Sequence, residues 1–280
     1  MTTGEGIARC RTRRRPAEVD RTVRECIVAD YLRSTRRLLL LDYDGTLVPF
    51  ASRPEKAVPG KKLLRLLSDL SSLPRNEVTL ISGRTRPELE NWFGALNLTL
   101  VAEHGAWLRP KGRKDWEMAI PLSAAWKEKL RPLFCSFLDR VPGSLLEEKD
   151  LSFAWHYRNA EPRIGASKAR ALAAALRRAG AGMRLEVLEG AKVVEMKNQA
   201  VGKGKAALRL LRNDRPGFIL AMGDDRTDED MFCALPGRAY TIKVGAAASG
   251  AGFFFPSRAG VLPFLRRLRD ADDGGLGVQP

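Results

Sequence analysis

No stretch of this 280-residue chain is apolar for long enough to cross a bilayer. The longest unbroken run, Ala171–Leu176, has six residues, against the roughly 20 that a spanning helix needs. No apolar segment follows the first basic residues in the manner of a signal peptide. A cytoplasmic protein without a membrane partner is therefore expected. Cysteine and histidine are scarce. The four cysteines (Cys10, Cys26, Cys135, Cys233) form no C-x-x-C pair and only two histidines accompany them, which argues against a zinc site or a disulfide framework. Aromatic residues are 7% of the chain, and none is interleaved with the arginines near its start. The stacking platform of a single-strand nucleic-acid binder is thus missing there.

What is present suits one or two compact units. Hydrophobic residues make up 44% and charged residues 29%, enough apolar surface to bury a core. The net charge of +15 is unevenly spread, because residues 1–37 hold ten arginines against five acids. The run Arg11–Arg15 reads as a solvated N-terminal extension, with binding of nucleic acid as the rival function. The remaining excess of positive charge suits an anionic substrate without naming it.

The hydrophobic pattern alternates. Residues 1–16 read as a disordered lead, and the spacing of Val19, Val23, Ile27 and Tyr31 predicts a short helix over 17–33. Leu38–Leu41 is a strand buried on both faces, followed by a helix near Pro59–Ser71, a strand at Glu77–Ser82, a helix at Arg86–Phe93 and a strand at Leu98–Glu103. Between about residues 109 and 198 the order becomes strand, strand, helix. It opens with a hairpin around KGRKD, flanked by Ala106–Arg109 and Trp116–Ile120. After Lys203 the βα rhythm returns and ends in a helix near Arg258–Arg269. The predicted fold class is α/β: a Rossmann-like, doubly wound, mostly parallel sheet core with an inserted α+β cap domain. The expected boundaries are an extension at 1–36, a core of 37–108 and 199–271, a cap of 109–198, and a disordered tail at 272–280.

Chemistry concentrates at strand ends. Asp42 and Asp44 follow the apolar run at i and i+2, so both project from one side beyond the carboxyl end of a strand. Ligands bind at that edge in open α/β sheets. A second apolar strand, Phe218–Met222, runs into Gly223-Asp224-Asp225-Arg226-Thr227-Asp228. Carboxylates delivered by two such strands make a site for Mg²⁺, a hard cation that takes oxygen ligands. Ser82-Gly83-Arg84 ends a third strand with a hydroxyl and a cation, and Gly202-Lys203-Gly204 opens a helix with a lysine; both suit phosphate oxygens. Neither a Walker loop nor a convincing dinucleotide fingerprint is present.

Taken together, these four elements resemble the haloacid dehalogenase-like phosphatases. More narrowly, LDYDGTLVP (41–49), ISGR (81–84), AEHGAW (102–107), HYRNAEP (156–162) and GDDRTDEDMF (223–232) are similar to the trehalose-6-phosphate phosphatases. The resemblance covers about residues 37–270 and implies a Mg²⁺-dependent phosphatase that releases trehalose and phosphate through an aspartyl-phosphate. It makes Asp42 the nucleophile and Asp44 the acid and base, with Ser82 and Lys203 on the phosphate oxygens. It assigns the metal to Asp42, the Asp44 main-chain carbonyl and Asp224, with Asp225 and Asp228 as supporting acids. It also implies sugar contacts from Arg84, His104, Arg158, Lys192 and Glu195, and the chain is expected to act as a monomer. One departure touches selectivity. Relatives often carry two lysines before V-x-E, where this chain has Ala191-Lys192. Phosphatases of other glycosyl phosphates (sucrose phosphate, or mannosyl- or glucosyl-glycerate phosphate) are the neighbouring readings.

Overall fold

The computed structural model describes residues 15–212, 215–245 and 248–274. The lead through residue 14, with most of the Arg11–Arg15 run, and residues 275–280 of the expected tail lie outside the described residues.

The chain opens with strand β1 (Ala17–Glu18) and helix α1 (Arg21–Arg33), then runs through β2 (Arg37–Leu41), α2 (Lys61–Ser72), β3 (Asn76–Ile81), α3 (Arg86–Phe93), β4 (Thr99–Ala102), β5 (Trp107–Arg109) and β6 (Glu117–Met118). A second unit follows: α4 (Trp126–Leu138), β7 (Leu145–Glu148), β8 (Ser152–His156), α5 (Pro162–Ala179), β9 (Leu185–Gly190) and β10 (Val193–Asn198). The chain then returns with α6 (Lys203–Arg212), β11 (Phe218–Gly223), α7 (Arg226–Ala234), β12 (Tyr240–Val244), β13 (Phe253–Phe255) and α8 (Val261–Gly274).

Among the described residues, nine strands form the core sheet in the order β1-β13-β12-β11-β2-β3-β4-β5-β6. It is parallel from β1 to β4, and β5 and β6 add antiparallel at one edge. Every residue of β2 is buried, as an apolar run in a sheet covered on both faces requires. Its alternate side chains feed different layers. Leu39 and Leu41 join the side packed by α1, α2, α3 and α8, and Leu38 and Leu40 join the side packed by α6 and α7. The second unit is a four-stranded antiparallel sheet, β7-β8-β10-β9, with its own core of Trp126, Phe134, Phe153, Trp155, Leu172 and Val194.

Four expectations need correction. Residues 17 and 18 are not helical but pair with Phe253 and Phe254 at the sheet edge. With Ile27, Val28 and Tyr31 of α1 buried in the main core, the extension joins the core from residue 17 onward. The hairpin exists as β5 and β6, but it extends the core sheet through β4 rather than belonging to the cap. Local alternation reveals a hairpin without revealing which sheet it joins. Residues 272–274, expected in the tail, continue α8, where Asp272 accepts hydrogen bonds from Arg37 (2.9 Å) and Arg75 (2.8 Å). Cys26 and Cys135 are free thiols, whereas Cys233 is disulfide-bonded, a pairing that its sequence spacing does not disclose. No helix among the described residues is long and apolar enough to cross a membrane.

Candidate active site

The register of two neighbouring parallel strands builds the centre of the site. Leu41 of β2 faces Met222 of β11, and the Asp42 N–H donates to the Met222 carbonyl at 3.0 Å. Asp42 and Asp224 therefore leave adjacent strands side by side. Asp228 joins them from the first turn of α7, and oxygens of the three carboxylates all lie within 4.8 Å of one another. The helix starts there because Asp225 caps it, accepting from the Thr227 and Asp228 N–H groups, while Asp228 accepts in return from Asp225.

Three clustered carboxylates need cations or protons nearby. Lys203, at the start of α6 and buried, donates to Asp42 Oδ1 at 2.6 Å and Asp228 Oδ1 at 2.8 Å. Burial works against the ammonium charge, but Asp228 and Asp42 outweigh it and hold the lysine well above its usual range. Asp42 is pushed up to about 8 by burial, which Asp224 and Asp225 reinforce against the pull of Lys203. Asp224 rises to about 7, again first by burial and then by Asp228 and Asp225. One ammonium does not balance this group. Asp42 Oδ2 is buried and has no hydrogen-bond partner among the described residues. That orphaned oxygen, with two further carboxylates close by, fits a divalent cation. Asp228 organises the group, since its Oδ2 also accepts from the Asp224 and Asp225 N–H groups, both at 3.0 Å. Gly45 (φ +85°) keeps the loop clear, because a Cβ there would lie 2.3 Å from an Asp224 oxygen.

Asp44 is held from the side. The Arg84 guanidinium grips its carboxylate with two hydrogen bonds, Nε at 2.8 Å and Nη2 at 2.7 Å. The remaining nitrogen, Nη1, donates to the Pro54 carbonyl at 2.6 Å and to Glu88 at 2.8 Å. Arg84, expected as a sugar contact, is thus already engaged with Asp44, Pro54 and Glu88. Ser82 directly follows β3, buried, and its Oγ accepts from the Arg84 N–H at 3.2 Å, which leaves the hydroxyl proton free to donate elsewhere.

Above these residues a cavity of about 350 Å³ opens between core and cap, lined from below by Asp42, Asp44, Ser82, His104 and Lys203 and from above by β7, β8, β9 and β10. Glu195 of β10 is buried there and accepts from Ser152 Oγ at 2.7 Å and Lys149 Nζ at 3.4 Å, and its Oε2 lies 3.0 Å from His104 Nε2. Burial alone would raise its pKa, but Lys149 and His104 keep Glu195 well below the usual carboxylate range. Lys149 also donates to the Gly83 carbonyl at 2.9 Å. His156 and Glu147 pair across β8 and β7 at 2.7 Å on the same wall. Arg158 lines the cavity too, donating to the Ala191 carbonyl at 2.7 Å.

The structure therefore brings together Asp42, Asp224, Asp228 and Lys203. It places Asp44, Ser82, Arg84, His104, Arg158, Glu195 and Asp225 around the same cavity. Lys192 is not brought there. It occupies the turn between β9 and β10 at φ +67°, with its ammonium 5.6 Å from the Tyr157 ring centre. Glu147 and Lys149 were not singled out by the sequence reading. Their i, i+2 spacing, which puts both on one face of an extended segment, is the signal that could have found them.

A family model described as Trehalose-phosphatase matches residues 40–251. A bifunctional trehalose-6-phosphate synthase/phosphatase of Thermoproteus tenax is 43% identical over 241 residues, covering 86% of this chain and 33% of the relative. A trehalose-phosphatase of Schizosaccharomyces pombe is 39% identical over 212 residues, covering 73% of this chain and 26% of its own length. The chain thus spans about a third or less of these curated relatives. Among solved structures, the C-terminal domain of the Candida albicans trehalose-6-phosphate phosphatase superposes with a TM-score of 0.86 at 33% identity, covering 92% of this chain and 99% of that one.

Proposed function

The chain belongs to the trehalose-phosphatase family, and from that premise we propose that it hydrolyses trehalose 6-phosphate to trehalose and inorganic phosphate. One observation carries the reading. Carboxylates from two adjacent strand ends meet around a buried lysine on the floor of a cavity roofed by polar cap residues.

In the first step an Asp42 oxygen bonds to phosphorus as the bond from phosphorus to the sugar oxygen breaks, and Asp44 gives that departing oxygen a proton. In the second, Asp44 takes a proton from a water whose oxygen attacks the aspartyl-phosphate and releases phosphate and free Asp42. Ser82 and Lys203 hold the phosphoryl oxygens through both steps. Arg84 keeps Asp44 in place with its two-pronged grip. The Asp42 and Asp224 carboxylates would hold Mg²⁺ together with the Asp44 main-chain carbonyl, with Asp228 behind them. When bound, the ion neutralises phosphate and carboxylate charge.

The cap would read the sugar. Glu195, Glu147 and Lys149 present charged atoms to hydroxyl groups, and Arg158 brings a cation beside Ala191. A roof that excludes water strengthens each of these contacts. The test is phosphate release from trehalose 6-phosphate, with sucrose 6-phosphate and glucose 6-phosphate as comparators. Trehalose 6-phosphate is expected to give the highest kcat/KM, and equal rates on all three would refute the disaccharide assignment.

A further inference from the structure

Where the cap meets the core, the two units grip each other unevenly. The chain crosses into the cap through residues 119–125 and back through 199–202. Beside these crossings Leu151, Ala106 and Val201 form a small apolar cluster against which Leu122 and Ala124 pack. The turn between β7 and β8 lies on this cluster, and Glu103 of the core holds it there. Its Oε1 accepts from the Asp150 N–H at 3.2 Å and its Oε2 from the Leu151 N–H at 2.9 Å. Glu103 is only 3% exposed, and bonds to a buried carboxylate are stronger than those between neutral groups. Arg86 adds a second grip on the turn, reaching one Asp150 oxygen at 2.9 and 2.6 Å.

The backbone accepts strain to make this contact. Glu103 and His104 have φ of 46° and 58°, a left-handed conformation that costs free energy for any residue with a Cβ. The two successive left-handed residues send one carboxylate to the cap turn and one imidazole to Glu195. The opposite rim of the cavity is held more weakly. There Asn159 donates to the Ser52 carbonyl at 3.2 Å in an exposed contact, and Arg158 lies 5.2 Å from the ring centre of a half-exposed Phe50.

We propose that Glu103 is a positioning residue: it pins the Lys149–Leu151 turn to the core as a fixed pivot, so that Lys149 keeps its place beside Gly83 while the cap opens at the Ser52–Asn159 rim. A pivot beside the crossings keeps its contacts as the cap swings, whereas at the far rim the contacts to release among the described residues are one neutral hydrogen bond and one exposed ring contact. The inference rests on the phosphatase reading above, in which Lys149 meets the sugar.

Kinetics and amide exchange test it together. Glu103→Gln keeps one carbonyl acceptor for the two N–H groups and Glu103→Ala keeps none. The KM for trehalose 6-phosphate should therefore rise through the series, by about ten-fold in the alanine variant. The kcat/KM for a small aryl phosphate, which does not reach the cap, should stay within about two-fold of wild type. Equal losses on both substrates, or an unchanged KM, would overturn the proposal. In the unliganded wild-type protein, the Asp150 and Leu151 amides should exchange slowly and at least about ten-fold faster in Glu103→Gln. Open-turn exchange rates in the wild type would refute the pivot even if neither variant folds. If the wild type hydrolyses the aryl phosphate and ignores trehalose 6-phosphate, the substrate reading fails while the exchange data still judge the pivot.

Discussion

Replacing Arg84 by lysine separates two roles that the sequence alone does not distinguish. As a sugar contact, Arg84 would act mainly on KM. As the holder of Asp44, it would act on kcat, and only where the leaving oxygen needs a proton. A lysine presents one point charge where the guanidinium presents a fork, so the substitution removes one of the two bonds to Asp44 and also the link to Pro54. One hydrogen bond to a charged group contributes about 1.5–3 kcal/mol. If that energy is needed to place the acid in the transition state, kcat on trehalose 6-phosphate falls about 10- to 150-fold. An aryl phosphate leaves as a stabilised phenolate, so its rate should fall by no more than about three-fold. Steady-state kinetics of both substrates, with thermal unfolding as a check on folding, provide the comparison. Equal falls on the two substrates, or a rise in KM alone, would refute the positioning of Asp44 by Arg84.

Asp42→Asn should reduce turnover by at least about 10³-fold because it removes the nucleophile. Since burial already opposes the charge of Asp42, its melting temperature should not fall, and appreciable activity would exclude Asp42 as the attacking group. Exhaustive chelation should abolish activity and added Mg²⁺ should restore it, while raising the melting temperature by binding only the folded chain; chelator-resistant turnover would contradict the assignment. Glu195 is held below its usual value of 4.5 by Lys149 and His104 despite its burial. The stability it contributes is therefore present above about pH 4.5 and is lost as pH falls through its folded-state value. The melting-temperature gap between wild type and Glu195→Gln should shrink between about pH 6 and pH 3; a constant gap would show that the charge of Glu195 is not what stabilises the cap.

The sequence was most legible where cause and effect are close together along the chain. An apolar run that ends in Asp42-Tyr43-Asp44-Gly45 announces both a buried strand and its reactive end, and Gly223-Asp224 repeats the message. Parallel pairing then brings the two ends together, as expected for neighbours in a doubly wound sheet. The cap was harder to read. Charged residues on a half-exposed strand face look alike whether they meet solvent or a ligand, so apart from its i, i+2 spacing to Glu147 little local separated Lys149, which reaches the cavity, from Lys192, which lies over Tyr157. The difference depends on how the β7–β8 turn docks, and that is set by Glu103, nearly fifty positions earlier. Arg84 shows the same limit. Its place beside Ser82 suggested a phosphate or sugar ligand, but its partners, Asp44 and Pro54, are assembled only by the fold.

The central sheet is bordered on each side by a strand of just two residues, Ala17–Glu18 at one margin and Glu117–Met118 at the other. A long bare margin is a template on which a foreign strand can grow. Here, among the described residues, an intruder would meet two residues of strand before the chain turns away, and a glutamate stands in each margin. At these two margins the broad, apolar core sheet thus gives a foreign strand little on which to grow.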